Sequence, residues 1–146
     1  MERDGERIEI TISSRFENIE LVQVIAEHLC ENAGMDEDGS HWIGMAVREA
    51  VANAIKHGNK SDASKHVFVE FETATAVPEL SIRVRDQGEG FDPETVANPL
   101  EPENLLKSSG RGIFLIRNFM DEVQLRRAPE GGMEIRMRKR VQSATA

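Results

Sequence analysis

The sequence predicts an α+β domain, a two-layer α/β sandwich with its helices grouped on one face of a sheet. Two observations lead there. Five stretches alternate apolar and polar residues with the period of a half-buried strand, namely Arg7 to Ser13, His66 to Thr73, Glu79 to Asp86, Glu122 to Arg127 and Met133 to Arg140. Two longer runs between the first and second of these repeat apolar residues at helical spacing instead. Strands with one apolar side need a helix layer to cover it, and the grouping of the helical runs supplies one.

The elements follow in chain order. Ile8, Ile10 and Ile12 form the apolar side of the first strand. Asn18 is placed to cap a helix with Leu21, Val22, Ile25, Ala26 and Leu29 on its apolar face, ending near Gly34. The acidic stretch Met35 to Ser40 reads as a connector, with Ser40 as N-cap of the next helix and Gly58 as its stop. That helix, Trp42 to His57, turns Ile43, Ala46, Val47, Ala50, Val51, Ala54 and Ile55 inward.

Ala74 to Pro78 reads as a hairpin-like connection between the second and third strands, and Asn98 to Ser109, with Pro99 and Pro102, as a mobile surface segment. A short helix is expected from Ile113 to about Met120, and Pro129-Glu130-Gly131-Gly132 signals a turn between the last two strands. Arg83, Arg85, Arg136 and Arg138 fall on the polar sides of their strands, where a solvated sheet face is the expectation and a protein-docking surface the alternative. Residues 1–141 read as one domain and 142–146 as a frayed tail.

Composition narrows the class. A chain of 146 residues with 39% hydrophobic and 30% charged residues is that of a globular protein able to bury a core. A formal net charge of -8 argues against a broad nucleic-acid footprint. No apolar run has the length of a membrane span and the charged N-terminal segment is no signal peptide, so a cytoplasmic protein is expected. Cys30, the single cysteine, reads as a small buried hydrophobe, and the four histidines lack zinc-ligand spacing.

Three stretches carry chemistry. Glu49 and Asn53 lie one helical turn apart, at the edge of an apolar stripe where a carboxylate requires an explanation. They suit a proton acceptor beside an oxygen ligand for a hard cation; surface pairing of Glu49 with Arg48 or Lys56 is the alternative. Asp86-Gln87-Gly88-Glu89-Gly90-Phe91 ends a strand; its glycines permit close approach to a ligand, and Asp86 can accept from an exocyclic amine. Gly110-Arg111-Gly112 opens a helix, whose N–H groups favour phosphate oxygens; it is neither a Walker loop nor a Rossmann fingerprint.

Taken in this order, the three stretches resemble the GHKL ATPases, the family of gyrase, Hsp90, histidine kinases and MutL. Within it the likeness is to the stand-alone anti-sigma-factor serine/threonine kinases of bacteria, and it runs from the first strand to Arg140. Glu49 to Gly58 is similar to their N box, Asp86 to Phe91 to the first glycine box and Gly110 to Val123 to the second.

The resemblance implies the Bergerat sandwich, with a mixed, mostly antiparallel sheet, and ATP bound beneath a lid at Asn98 to Ser109. It implies Glu49 as general base, Asn53 as Mg²⁺ ligand and Asp86 as the acceptor of the adenine amine. Gly88, Gly90, Gly110, Arg111 and Gly112 would complete the nucleotide site. Lys56 and Lys107 are further phosphate candidates by charge, with ordinary surface pairing as the alternative for them and for Arg111. The implied function is a homodimeric kinase that sequesters a sigma factor and phosphorylates an anti-sigma-factor antagonist of the STAS type.

One position departs from the family pattern. Met133 stands where a threonine usually follows the final glycine box, which puts one polar contact near the nucleotide in question. It leaves room for an alternative, a nucleotide-gated binding protein without kinase turnover. A histidine-kinase fragment fits less well, because no dimerisation helix with a phospho-accepting histidine is seen.

Overall fold

The computed structural model describes residues 5–74, 79–89 and 116–140. In chain order they form β1 (Gly5–Ser13), α1 (Glu17–Asn32), α2 (Glu37–Asn53), a π-helical turn (Ala54–Gly58), β2 (His66–Ala74), β3 (Glu79–Arg85), β4 (Glu122–Arg127) and β5 (Met133–Arg140). Residues 116–119 are helical as well. The expected hairpin loop 75–78, the lid segment 98–109, the start of the helix after the second glycine loop and the tail 142–146 lie outside the described residues.

Alternation dictates how the strands associate. They form one five-stranded sheet in the order β1-β2-β3-β5-β4. All the pairings among the described strands are antiparallel, the predominant sense expected. Register places Ile8 opposite Phe71, Phe71 opposite Ile82 and Ile82 opposite Met137, so one row of the inner face is apolar across four strands. The next row, Ile10, Val69, Val84 and Ile135, repeats the pattern.

Both helices cover that face. The inward residues of α2 and of the turn after it, from Ile43 to Ile55, are buried as the helical spacing predicts, and they share one core with Val67, Val69, Phe71, Leu80, Ile82, Val84 and Met137. Ile116 and Met120 join it from the helical stretch before β4. Phe119 stacks on Trp42 of α2 with ring centroids 4.6 Å apart and planes 12° from parallel, which ties that stretch to the helix layer. Cys30 is buried, and burial, with Glu27 and Glu31 nearby, pushes its thiol up to about 12. No helix among the described residues is long and apolar enough to cross a membrane.

The helix starts correct the sequence reading. Asn18 does not cap α1; it lies inside the first turn and its Nδ2 donates to the carbonyl and hydroxyl of Ser13, fastening the helix to the end of β1. The buried stripe of α1 runs through Ile19, Val22, Ala26, Leu29 and Cys30, leaving Leu21 exposed. Leu21 and Val22 are neighbours about 100° apart around a helix, and Val22 takes the inner position.

Ser40 does not cap α2 either. Asp36 does, accepting from the Gly39 N–H at 2.8 Å, and the acidic Glu37 and Asp38 occupy the first turn, where they complement the positive end of the helix dipole. Ser40 is thereby carried into the helix, where its hydroxyl is buried with no hydrogen-bond partner among the described residues.

Candidate functional site

The C-terminal end of α2 is where the helix layer meets the strand ends. Glu49 and Asn53 share one side of α2 and are both half-buried, at the margin of its fully buried stripe. Immediately after Asn53 the helix widens into the π-helical turn, an arrangement common at functional sites. The turn ends at Gly58, the expected stop, and delivers Gly58 and Asn59 to the exit of β3. Lys56 and His57 are exposed on its outer side.

Asp86 follows the last residue of β3 and is buried. Its Oδ1 accepts two backbone N–H groups, from Gly88 at 2.9 Å and from Met133 at 3.1 Å. Its own N–H donates to the Met133 carbonyl at 3.0 Å, so Asp86 and Met133 are held to each other twice. Among the described residues no hydrogen bond occupies Oδ2, which faces Gly58. A carboxylate with one oxygen committed to the main chain and the other presented is a fixed acceptor.

Three glycines make this packing possible. A Cβ on Gly58 would meet Asp86 Oδ2 at 2.0 Å, so the turn after α2 lies against the carboxylate only without a side chain there. Gly132 has φ +82 and a Cβ on it would meet the Asp86 carbonyl at 2.1 Å. Gly88 approaches the Gly58 carbonyl equally closely. The structure therefore brings together the π-helical turn that follows α2, the Asp86 loop and the turn before β5.

Asn59, read from sequence as part of a polar loop, is fully buried at this joint. Its Nδ2 donates to Ser14 Oγ at 2.8 Å and to the His66 carbonyl at 2.9 Å, while its Oδ1 accepts the Gln87 N–H at 2.7 Å. One side chain thus ties the end of β1, the start of β2 and the loop after β3 to the turn after α2. No local pattern marks it, because its partners lie 7 to 45 residues away.

The departure at Met133 also acquires a meaning. What reaches Asp86 is the Met133 backbone, which any residue supplies, while the buried Met133 side chain does not offer the polar group of a threonine.

Behind Asp86, on the outer face of the sheet, Glu134 is completely buried and accepts from Arg83 and from Arg126, the latter at 2.6 Å. Burial pulls its carboxyl upward, but the Arg126 and Arg83 hydrogen bonds outweigh it and hold the group below the usual glutamate range. Arg83 also grips Glu130 through both carboxylate oxygens, at 2.9 and 3.0 Å. Arg85 lies 4.1 Å over the Phe68 ring and reaches the Gly131 carbonyl at 3.5 Å. The arginine face expected to be solvated is, at this end, a partly buried ionic network, because the β4–β5 turn folds Glu130 and Glu134 into it.

Glu49, Asn53, Asp86 and Gly88 thus fall within the described residues. Gly90, Gly110, Arg111, Gly112 and Lys107 lie outside them.

The comparisons with known proteins agree with this architecture. The family profile of the histidine kinase-like ATPase domain matches residues 12–139. The serine-protein kinase RsbW of Staphylococcus aureus is 31% identical over 146 residues, covering 95% of this chain and 89% of that protein. The RsbW proteins of strains JH9 and Newman match to the same extent. The crystal structure of the RsbU and RsbW domains of Rv1364c from Mycobacterium tuberculosis superposes with a TM-score of 0.66 at 18% identity. That match covers 93% of this chain and 32% of the larger one, and shows the shared fold. The chain therefore belongs to the histidine kinase-like ATPase domain family and, within it, to the serine-protein kinases of the RsbW type.

Proposed function

We propose that the chain is an ATP- and Mg²⁺-dependent anti-sigma-factor kinase, acting in the cytoplasm as a homodimer, that sequesters a sigma factor and phosphorylates a STAS-type antagonist on serine or threonine. The observation that supports the reading is Asp86, whose Oδ1 is locked by two main-chain donors while Oδ2 lies against Gly58, the last residue of the π-helical turn that follows α2. Such a fixed acceptor suits an adenine amine, and a nucleotide bound there would carry its phosphates toward α2.

The donors suit the cofactors. Asn53 offers a hard amide oxygen, and Mg²⁺ takes few ligands from protein and the remainder from phosphate and water. When bound, the metal neutralises charge developing on the transferred phosphoryl group. Glu49, on the same side of α2, accepts the proton of the substrate hydroxyl as that oxygen bonds to the γ-phosphorus of ATP and the bond from the γ-phosphorus to the β,γ-bridging oxygen breaks, releasing ADP. Gly110, Arg111 and Gly112 would face the phosphates, with Gly88 and Gly90 beside the base.

The decisive experiment is phosphoryl transfer from radiolabelled ATP to a purified STAS-domain antagonist, comparing wild type with Glu49→Ala. Loss of a general base lowers transfer by roughly 10²- to 10⁴-fold with ATP binding retained. Full transfer by the variant would contradict the role of Glu49, and full regulation of its partner in cells by the variant would favour a nucleotide-gated binder.

A further inference from the structure

Glu134 lies on the face of the sheet away from the helices, and nothing in the reaction requires it. It is nonetheless the completely buried charge of this region, and a buried carboxylate is costly unless closely paired. Its pairing has a direction. Arg83 and Arg85, both from β3, hold Glu134, Glu130 and the Gly131 carbonyl, that is, both ends and the middle of the turn into β5. The same strand runs directly into Asp86.

Between these anchored points stand Gly132, with its left-handed backbone against the Asp86 carbonyl, and Met133, whose N–H holds Asp86 Oδ1. The position of that N–H, and with it the angle of the carboxylate, is set by where the turn is fastened. The turn is closed by main-chain bonds, from Ala128 N–H to the Gly132 carbonyl and from Gly131 N–H to the Ala128 carbonyl, and Arg83 and Arg85 fasten it to β3 from behind the sheet.

We propose that Glu134 is a positioning residue for base recognition: through the Arg83–Glu130 clamp it fixes the Met133 N–H, which aims Asp86 at the nucleobase. This rests on the reading of Asp86 as the acceptor of the adenine amine. It predicts that the network governs discrimination between bases rather than affinity for phosphates.

The test is competition of ATP and ITP against a fluorescent ATP analogue, in wild type, Glu134→Gln and Glu130→Gln. ITP keeps the sugar and triphosphate but replaces the exocyclic amine with a carbonyl. Wild type is expected to prefer ATP, and Glu134→Gln to lose about tenfold of that preference, as befits a misdirected hydrogen bond to a charged group. Glu130→Gln alters the exposed end of the clamp and is expected to lose about threefold, which decides the matter should Glu134→Gln fail to fold.

Parallel loss of ATP and ITP affinity, or an unchanged ratio, would overturn the proposal, since a purely structural role weakens both nucleotides alike. A wild type that does not discriminate would overturn the Asp86 reading itself and the proposal with it.

Discussion

The two faces of the sheet are built on opposite principles. The inner face is apolar in consecutive rows and is covered by α1 and α2. The outer face carries arginines and glutamates across the same strands, in rows such as Glu70, Arg83, Arg136 and Arg85, Glu134, Arg126. Apolar burial is non-directional, so the inner face supplies stability and tolerates small shifts. Ion pairs are directional and individually weak where exposed, so the outer face adds little stability but can fix the position of a turn.

Three substitutions probe that division and a fourth tests its boundary. Phe71→Ala, in the centre of the inner face, is expected to cost about 3–5 kcal/mol in urea denaturation, because a large cavity opens among residues that cannot all collapse into it. A cost below about 1 kcal/mol would mean that the inner face does not carry the fold.

Asn59→Ala probes the joint between the layers. It strands the Gln87 N–H and the partners at Ser14 and His66, and about 2–3 kcal/mol of stability should be lost by the same measurement.

Glu134→Gln is expected to cost about 1–2 kcal/mol near neutral pH, less than a fully enclosed pair, because the half-exposed Arg126 can rehydrate. The folded carboxyl lies below its ordinary value of 4.5. Its contribution is therefore present above pH 4.5 and is lost as the pH falls through the depressed folded value. Wild-type stability should fall toward that of the variant in this acid window, and parallel pH profiles would show that Glu134 is not held by its arginines. Smallest of all, Arg138→Ala removes exposed pairs with Glu79 and Glu122 at 3.6 and 3.4 Å, and should change stability by under about 0.5 kcal/mol.

The same division explains what was legible in the sequence. Alternating isoleucine, valine and phenylalanine announce the inner face because only burial on one side produces that period, and the buried stripe of α2 followed from helical spacing. The order Glu49-Asn53, Asp86-Gly88, Gly110-Gly112 pointed to a candidate site because each motif is local, and Gly110 to Gly112 lie outside the described residues. The outer face stayed opaque: an arginine opposite a glutamate reads alike whether it is solvated or clamped, and Glu134 is buried only because the β4–β5 turn folds over it. Asn59 and the backbone of Met133 were invisible for a related reason, since their roles depend on partners distant in sequence. The helix starts misled at Asn18 and Ser40 because each is a good capping residue in isolation, and Ser13 and Asp36 offered better arrangements.

Calorimetric titration of ATP, with and without Mg²⁺, into wild type and Asp86→Asn tests the central claim that the joint behind α2 is an adenine-nucleotide site. The variant keeps the size of the side chain and turns an acceptor into a donor facing the amine. Wild type should bind with roughly micromolar affinity in the presence of Mg²⁺, and Asp86→Asn should weaken binding by about 10- to 100-fold. Equal binding by the two proteins would contradict the account.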